Sequence, residues 1–206
     1  MASTLRDLLI QRAARLQSQA ALSTPDWGTL SYAQLRNRVE GVALGLLSRE
    51  VPSASFSSTH TPWDWAAELA VAASGLVWDP AGQTMPSDTF GGARFNHEDG
   101  RGPYHAREQV VQATTPFSAG LDQGELMLRL RRLNTKLGWD HTSRIDLPLA
   151  RLGEAPLRAA LWSALYAGAH AVLIAETPTT AKRFFTRFQS APQAWDAEPF
   201  LGFWNA

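Results

Sequence analysis

The chain of 206 residues contains no cysteine, which excludes disulfides, zinc–thiolate sites and thiol chemistry together. It carries no net charge, because 19 basic and 19 acidic side chains cancel. Without an overall field, nothing in the composition draws it to nucleic acid or to an anionic membrane, and neither is expected as a partner. No apolar run approaches the roughly 20 residues that a membrane-spanning helix needs. The opening, MASTLRDLLIQRAARL, has no uninterrupted apolar segment and no cleavage-type sequence. No signal peptide is read there, and a soluble, cytoplasmic protein is expected. The five histidines (His60, His97, His105, His141 and His170) show no metal-ligand spacing, so no metal is expected. There is no Gly-x-Ser-x-Gly elbow, and the scattered carboxylates form no pair for glycoside chemistry. His170, between alanines and before an apolar run, reads as a satisfied core or edge histidine.

What is present is a series of helix signals alternating with short apolar runs. Thr4 caps a first helix to about Ser18, with Asp7 three residues on, and a strand follows at Ala20–Ser23. After a turn at Pro25–Gly28, Ser31 and Gln34 form a capping box, with Leu30 and Leu35 at the spacing of a hydrophobic staple. Leu35, Val39, Val42, Ala43 and Leu46 then share one helical face. Val51–Thr59 is Ser-rich and too polar for a central strand. Thr61, Pro62 and Asp64 open a third helix to Gly75, and Leu76–Trp78 is a brief strand. Glycine, proline and polar residues dominate positions 81–103, read as a connecting loop with one strand at Ala93–Asn96. A strand is expected at Gln109–Thr114. Asp122 and Glu125 cap a helix ending at Gly138, Ser143–Leu147 is a strand, and a further helix ends at Gly168. Ala171–Ala175 is the best buried-strand candidate, and Thr177 and Pro178 open a last helix bearing Phe184, Phe185 and Phe188. An aromatic tail, 190–206, closes the chain and is expected to fold back over the domain. The alternation predicts an α/β layered fold, a mainly parallel sheet flanked by helices.

Three of these segments, in order, carry a resemblance. They are TLSYAQLRNRVEGVALGLL (Thr29–Leu47), WAAELAVAASGLVWDP (Trp65–Pro80) and LGWDHTSRIDLPLARLGEAPLRAALWSALYAGAHAVLIAE (Leu137–Glu176). The first resembles the Thr-Tyr-x-x-Leu start and helix of the adenylate-forming (AMP-binding, acyl-CoA synthetase-like) enzymes. The second resembles that family's alanine-rich helix, Gly, apolar strand and Pro. The third is similar to its stretch beyond the phosphate loop, with Ala167, Gly168 and Ala169 matching an Ala-Gly-Ala helix end. The resemblance implies part of the N-terminal domain of acyl-CoA synthetases, and residues 1–206 are expected to form a single truncated domain. Nothing corresponds to the family's small C-terminal domain with its catalytic lysine, or to its later adenine, ribose and magnesium motifs.

Between the matching segments the family carries a Ser/Thr- and Gly-rich loop ending in Pro-Lys-Gly, which cradles ATP phosphates. Such a cradle needs converging backbone amides, glycine for close approach and a lysine for charge. This chain offers VVQATTPFSAGLDQGEL there. Thr114, Thr115, Ser118 and Gly120 are the candidate cofactor-binding residues of a vestigial phosphate loop. With Pro116 on the family proline, Phe117 takes the lysine position and Ser118 that of the following glycine. The competing reading is a plain strand-to-helix turn capped by Asp122. Family members place an aromatic or histidine after the strand-ending proline; here Leu149, Ala150 and Arg151 follow Pro148, and Arg151 is the candidate ligand-binding residue. No catalytic residue is assigned, and no cofactor is expected because no intact motif for ATP, AMP or CoA is present. The resemblance implies a truncated acyl-CoA synthetase-like protein without ligase activity on its own, acting as a binding or interaction module. Two alternatives stand beside it: one part of a split ATP-dependent carboxylic acid–CoA ligase completed by a partner chain, and a structural subunit that dimerises.

Overall fold

Two helices of this chain are apolar nearly all round, and the rest of the structure is arranged to bury them. α3 (Pro62–Ala73) buries ten of its twelve residues, five of them alanine, which lets neighbours approach its backbone closely. α5 (Ala155–Ala167) buries nine of thirteen. The amphipathic α1 (Leu5–Leu16), α2 (Tyr32–Leu47) and α4 (Gln123–Leu137) cover them. The computed structural model describes residues 2–47, 53–54, 60–78, 111–118, 120–175 and 195–205. The expected connecting loop 81–103 with its strand at Ala93–Asn96, and the last helix with Phe184, Phe185 and Phe188, lie outside them.

Local signals set the helix ends. Thr4 accepts a hydrogen bond from the Asp7 amide at 3.0 Å. Ser31 and Gln34 form the reciprocal capping box, with bonds of 3.2 and 2.9 Å. α4 and α5 end at Gly138 and Gly168, both left-handed. Thr61 departs from expectation: its side chain makes no capping bond, and its carbonyl instead accepts from the Asp64 amide at 3.0 Å.

Among the described residues the strands form two four-stranded sheets. One has the order β2 (Gly28–Ser31), β1 (Ala20–Thr24), β8 (His170–Ile174), β7 (Arg144–Pro148). The other runs β3 (Ser53–Ala54), β4 (Val77–Trp78), β5 (Pro116–Ser118), β6 (Leu121–Asp122). Each sheet has two parallel pairings and one antiparallel hairpin at an edge. The chain is therefore a layered α/β fold with mainly parallel strands. β2 and β6 were not expected from the sequence. The strand expected at Gln109–Thr114 is displaced: residues 111–114 are loop and turn, and pairing begins at Pro116. The Ala113 and Thr115 carbonyls accept amides from α4 instead of entering a ladder.

One carboxylate lies inside the apolar helix pair. Glu68 of α3, 3% exposed, receives Arg158 Nε at 2.7 Å and Nη2 at 2.8 Å, and Trp162 Nε1 at 2.8 Å. Arg158 and Trp162 are one turn apart on α5 and so share a face. The tail closes over the same place. The Trp204 ring lies 4.4 Å from the Arg158 guanidinium, its Nε1 donates to the Ala155 carbonyl at 2.8 Å, and Arg129 Nη1 donates to the Phe203 carbonyl at 2.7 Å. Residues 195–205 are thus folded back onto α4 and α5, with Phe200 and Phe203 buried. Removing one partner of a buried ion pair strands the other charge, at a cost of about 3–5 kcal/mol. Glu68→Ala should lower the unfolding free energy by that amount in urea titrations and increase the exposure of Trp204 to acrylamide quenching.

Candidate functional site

The region aligned with a phosphate loop is the β5–β6 hairpin and the start of α4. Ser118 pairs with Leu121, which leaves two residues for the turn, and Gly120 sits there at φ 77°. A Cβ on Gly120 would meet nothing within 4 Å, so its side faces open space. Thr114 is exposed. Thr115 uses its hydroxyl to accept from the Gln112 amide at 2.8 Å, and Ser118 is buried at 6% exposure. The four candidate residues therefore lie on one hairpin and its approach, but two of them already serve the chain itself.

A helix start can hold an anion only through amides that have no other acceptor. At α4 the first three helical amides are spoken for. The Gln123 amide donates to the Thr115 carbonyl at 3.0 Å, Gly124 to the Ala113 carbonyl at 2.8 Å, and Glu125 to Asp122 Oδ1 at 2.7 Å. A Cβ on Gly124 would lie 2.9 Å from the Ala113 Cβ, so only glycine lets the 113 turn come this close. Glu125 does not complete the capping box; its carboxylate accepts from Arg129 Nε at 3.0 Å. Phe117, at the lysine position, is fully buried, with its ring 5.9 Å from Trp162 and 6.4 Å from Trp204.

Arg151 belongs to the other sheet, in the 3-10 turn Leu149–Arg151 after β7. Its guanidinium meets Glu154 at 2.9 Å, with both side chains largely exposed. The structure does not place it on the hairpin that carries the other candidates.

Several polar residues that organise this region escaped the sequence reading. Gln123, wholly buried, accepts from the Leu5 amide at 3.0 Å and donates to the Ala72 carbonyl at 2.8 Å, joining α1, α3 and α4. Glu68 gave no signal beyond standing among alanines. His170, by contrast, was read from the sequence as a satisfied core or edge histidine; it stands half-buried in the inner strand β8, with Nε2 2.8 Å from Ser23 Oγ, a spacing suited to nucleophile activation. Among the described residues no carboxylate hydrogen-bonds the ring, however, and Asp146 is paired with Arg144 Nε at 3.1 Å. Burial, reinforced by Arg144 and opposed by Asp146, holds the His170 imidazolium below its ordinary pKa of 6.5. Among the described residues no three His, Asp or Glu side chains are grouped to hold a metal ion, and no helix is long and apolar enough to cross a membrane.

No protein-family model and no curated protein matches the sequence. Solved structures match its fold. The N-terminal subdomain of Klebsiella oxytoca NpsA, in complex with 3-hydroxyanthranilyl-AMSN, superimposes with a TM-score of 0.65 at 14% identity, over 87% of this chain and 55% of that one. VinN in complex with L-aspartate gives 0.65 at 12% identity, over 82% and 62%. A putative long-chain-fatty-acid CoA ligase from Rhodopseudomonas palustris gives 0.60 at 15% identity, over 82% and 57%. The chain spans little more than half the length of these structures.

Two outcomes are expected. Asp122→Ala removes a helix cap and should cost about 1 kcal/mol of stability, read by urea denaturation. A depressed histidine pKa means that the unfolded chain binds the extra proton first. His170 therefore contributes stability above about pH 6.5 that fades as pH falls through its lower native value. Between pH 7.5 and 5 the melting temperature of His170→Asn should fall less than that of the wild type. By its described architecture, this chain has the fold of the N-terminal region of the adenylate-forming enzymes.

Proposed function

We propose that this chain is a non-catalytic, AMP-binding-like scaffold that acts as a binding or interaction module, with no ligase activity of its own. The observation that carries this reading is the closed first turn of α4. Its three leading amides are bonded to Thr115, Ala113 and Asp122 within the chain, where a phosphate cradle needs them open. The Asp122 carboxylate at the helix start adds repulsion toward a triphosphate. Burial of Phe117 supports the same reading, because a lysine there would place its charge inside an aromatic cluster. Thr114, Thr115, Ser118 and Gly120 are then remnants of a phosphate loop, and Arg151 is a solvated loop residue paired with Glu154. The scaffold would serve a protein partner or a second copy of the chain.

The test combines catalysis with direct binding. Purified protein given Mg-ATP and a panel of aromatic, aliphatic and amino acids should show no acid-dependent exchange of pyrophosphate into ATP. Calorimetric titration with Mg-ATP should show no saturable heat. Acid-dependent exchange, or stoichiometric ATP binding abolished by Thr115→Val, would overturn the proposal.

A further inference from the structure

Away from the hairpin, α1 and α4 face each other across a cleft of about 620 Å³, a volume typical of small-molecule sites. The two helices start together at the hydrogen bond from the Leu5 amide to Gln123. Each presents a stripe at the i, i+3, i+4, i+7 spacing of one helical face: positions 8, 11, 12 and 15 on α1, and 124, 127, 128 and 131 on α4. Both stripes begin small or apolar and end in arginine. Leu8, Met127 and Leu128 supply the apolar wall, and Leu128 is one of two large apolar side chains left exposed among the described residues. Arg12, Arg15 and Arg131 supply the charge, and among the described residues no carboxylate lines the cleft.

The contrast with the other arginines is informative. Arg36, Arg129, Arg144, Arg151 and Arg158 each pair with a carboxylate. Among the described residues none of the three cleft arginines does. Arg12 is the most constrained. Its Nη2 donates to the Tyr166 carbonyl at the end of α5, while its Nε–H is buried without an acceptor. A desolvated guanidinium donor left unbonded is costly, and an oxyanion is its natural complement. Burial holds the Arg12 pKa below its ordinary value, and the neighbouring Arg15 charge adds to the effect. The charge of a bound anion would oppose that shift.

We infer that the α1–α4 cleft binds a small anionic amphiphile, its oxyanion head held by Arg12, Arg15 and Arg131 and its apolar body lying along Leu8, Met127 and Leu128. This cleft shares Ala113 and Gly124 with the joint behind the phosphate-loop hairpin, but Thr114, Thr115, Ser118 and Gly120 are not among its lining residues, and the inference does not rest on the absence of ligase activity. Two head chemistries meet the description, a phosphate monoester and a carboxylate, and both can bond guanidinium as a fork.

Calorimetric titration of the full chain with decyl phosphate and with decanoate, below their micellar concentrations, tests the inference. At least one should bind at 1:1 stoichiometry, and whichever binds more tightly identifies the head. Arg15→Gln and Arg131→Gln should each weaken that binding about tenfold. Arg132→Gln, one position along α4 and outside the cleft, should change it less than about twofold. Inorganic phosphate, lacking the apolar body, should bind at least about tenfold more weakly. Raising NaCl from 50 to 300 mM should weaken binding of the wild type, a readout that needs no variant to fold. Far-UV circular dichroism checks that the variants retain wild-type helicity. The inference is overturned if neither amphiphile saturates, if decyltrimethylammonium binds as tightly, or if binding ignores salt and both arginine substitutions.

Discussion

Everything packed around α3 must accommodate one ionised group. A helix that buries ten of its twelve residues has no route to solvent for a carboxylate in its second turn, and so Glu68 must find its counter-charge inside. Arg158 and Trp162 meet it with three hydrogen bonds from one face of α5. Such an arrangement adds little net stability over an apolar substitute, but it tolerates almost no error in the register of the two helices. The guanidinium also lies 5.3 Å from the Trp78 ring and 4.4 Å from that of Trp204. A strand end and the chain's last aromatic residue are thereby indexed to the same charge. Glu68 thus fixes how α3, α5, β4 and the tail sit together.

The hairpin of β5 and β6 is shaped by that cluster. Phe117 joins Trp162 and Trp204 in it, and Trp65 meets Trp162 edge to face with ring centroids 5.0 Å apart. With Phe117 facing inward, Pro116 and Ser118 belong to a strand, and the turn beyond them is short. The 113 turn is drawn against Gly124, where its carbonyls consume the helix amides. A segment that could have been an open, anion-accepting loop is instead a closed joint between core and helix. The α1–α4 cleft is distinctive by contrast, since among the described residues its arginines pair with no carboxylate.

Features legible in the sequence were those decided within a few residues. Thr4, Ser31 with Gln34, Asp122, Gly138 and Gly168 each fix a helix end through contacts three to five positions away, and all stand where the pattern put them. The strand expected at 171–175 from composition alone stands one residue earlier, at 170–174. Unread features depend on distant chain. β2 and β6 are short and half-exposed, held by hairpin partners and not by apolar patterning. The run at 109–114 carries β-branched residues that favour a strand, yet its later part turns because α4 needs acceptors for its first amides. Arg158 lies 90 positions from Glu68, and no spacing rule connects an alanine-flanked glutamate to it. Phe117 was weighed only against a lysine, and its place in the core was settled by tryptophans 45 and 87 positions further on.

The central seam of the first sheet joins the two ends of the described chain in parallel. Ser23 of β1 meets His170, 147 positions later, and Leu22 stands opposite Ala171. On a ribosome, the β1–β2 hairpin emerges early with one edge unpaired, and its natural neighbour has not yet been made. Loop-closure entropy and sequence separation both make that pairing a late event. Until residues 170–174 have been made, the nascent polypeptide must therefore carry an open strand edge, which is where premature association with other chains would begin.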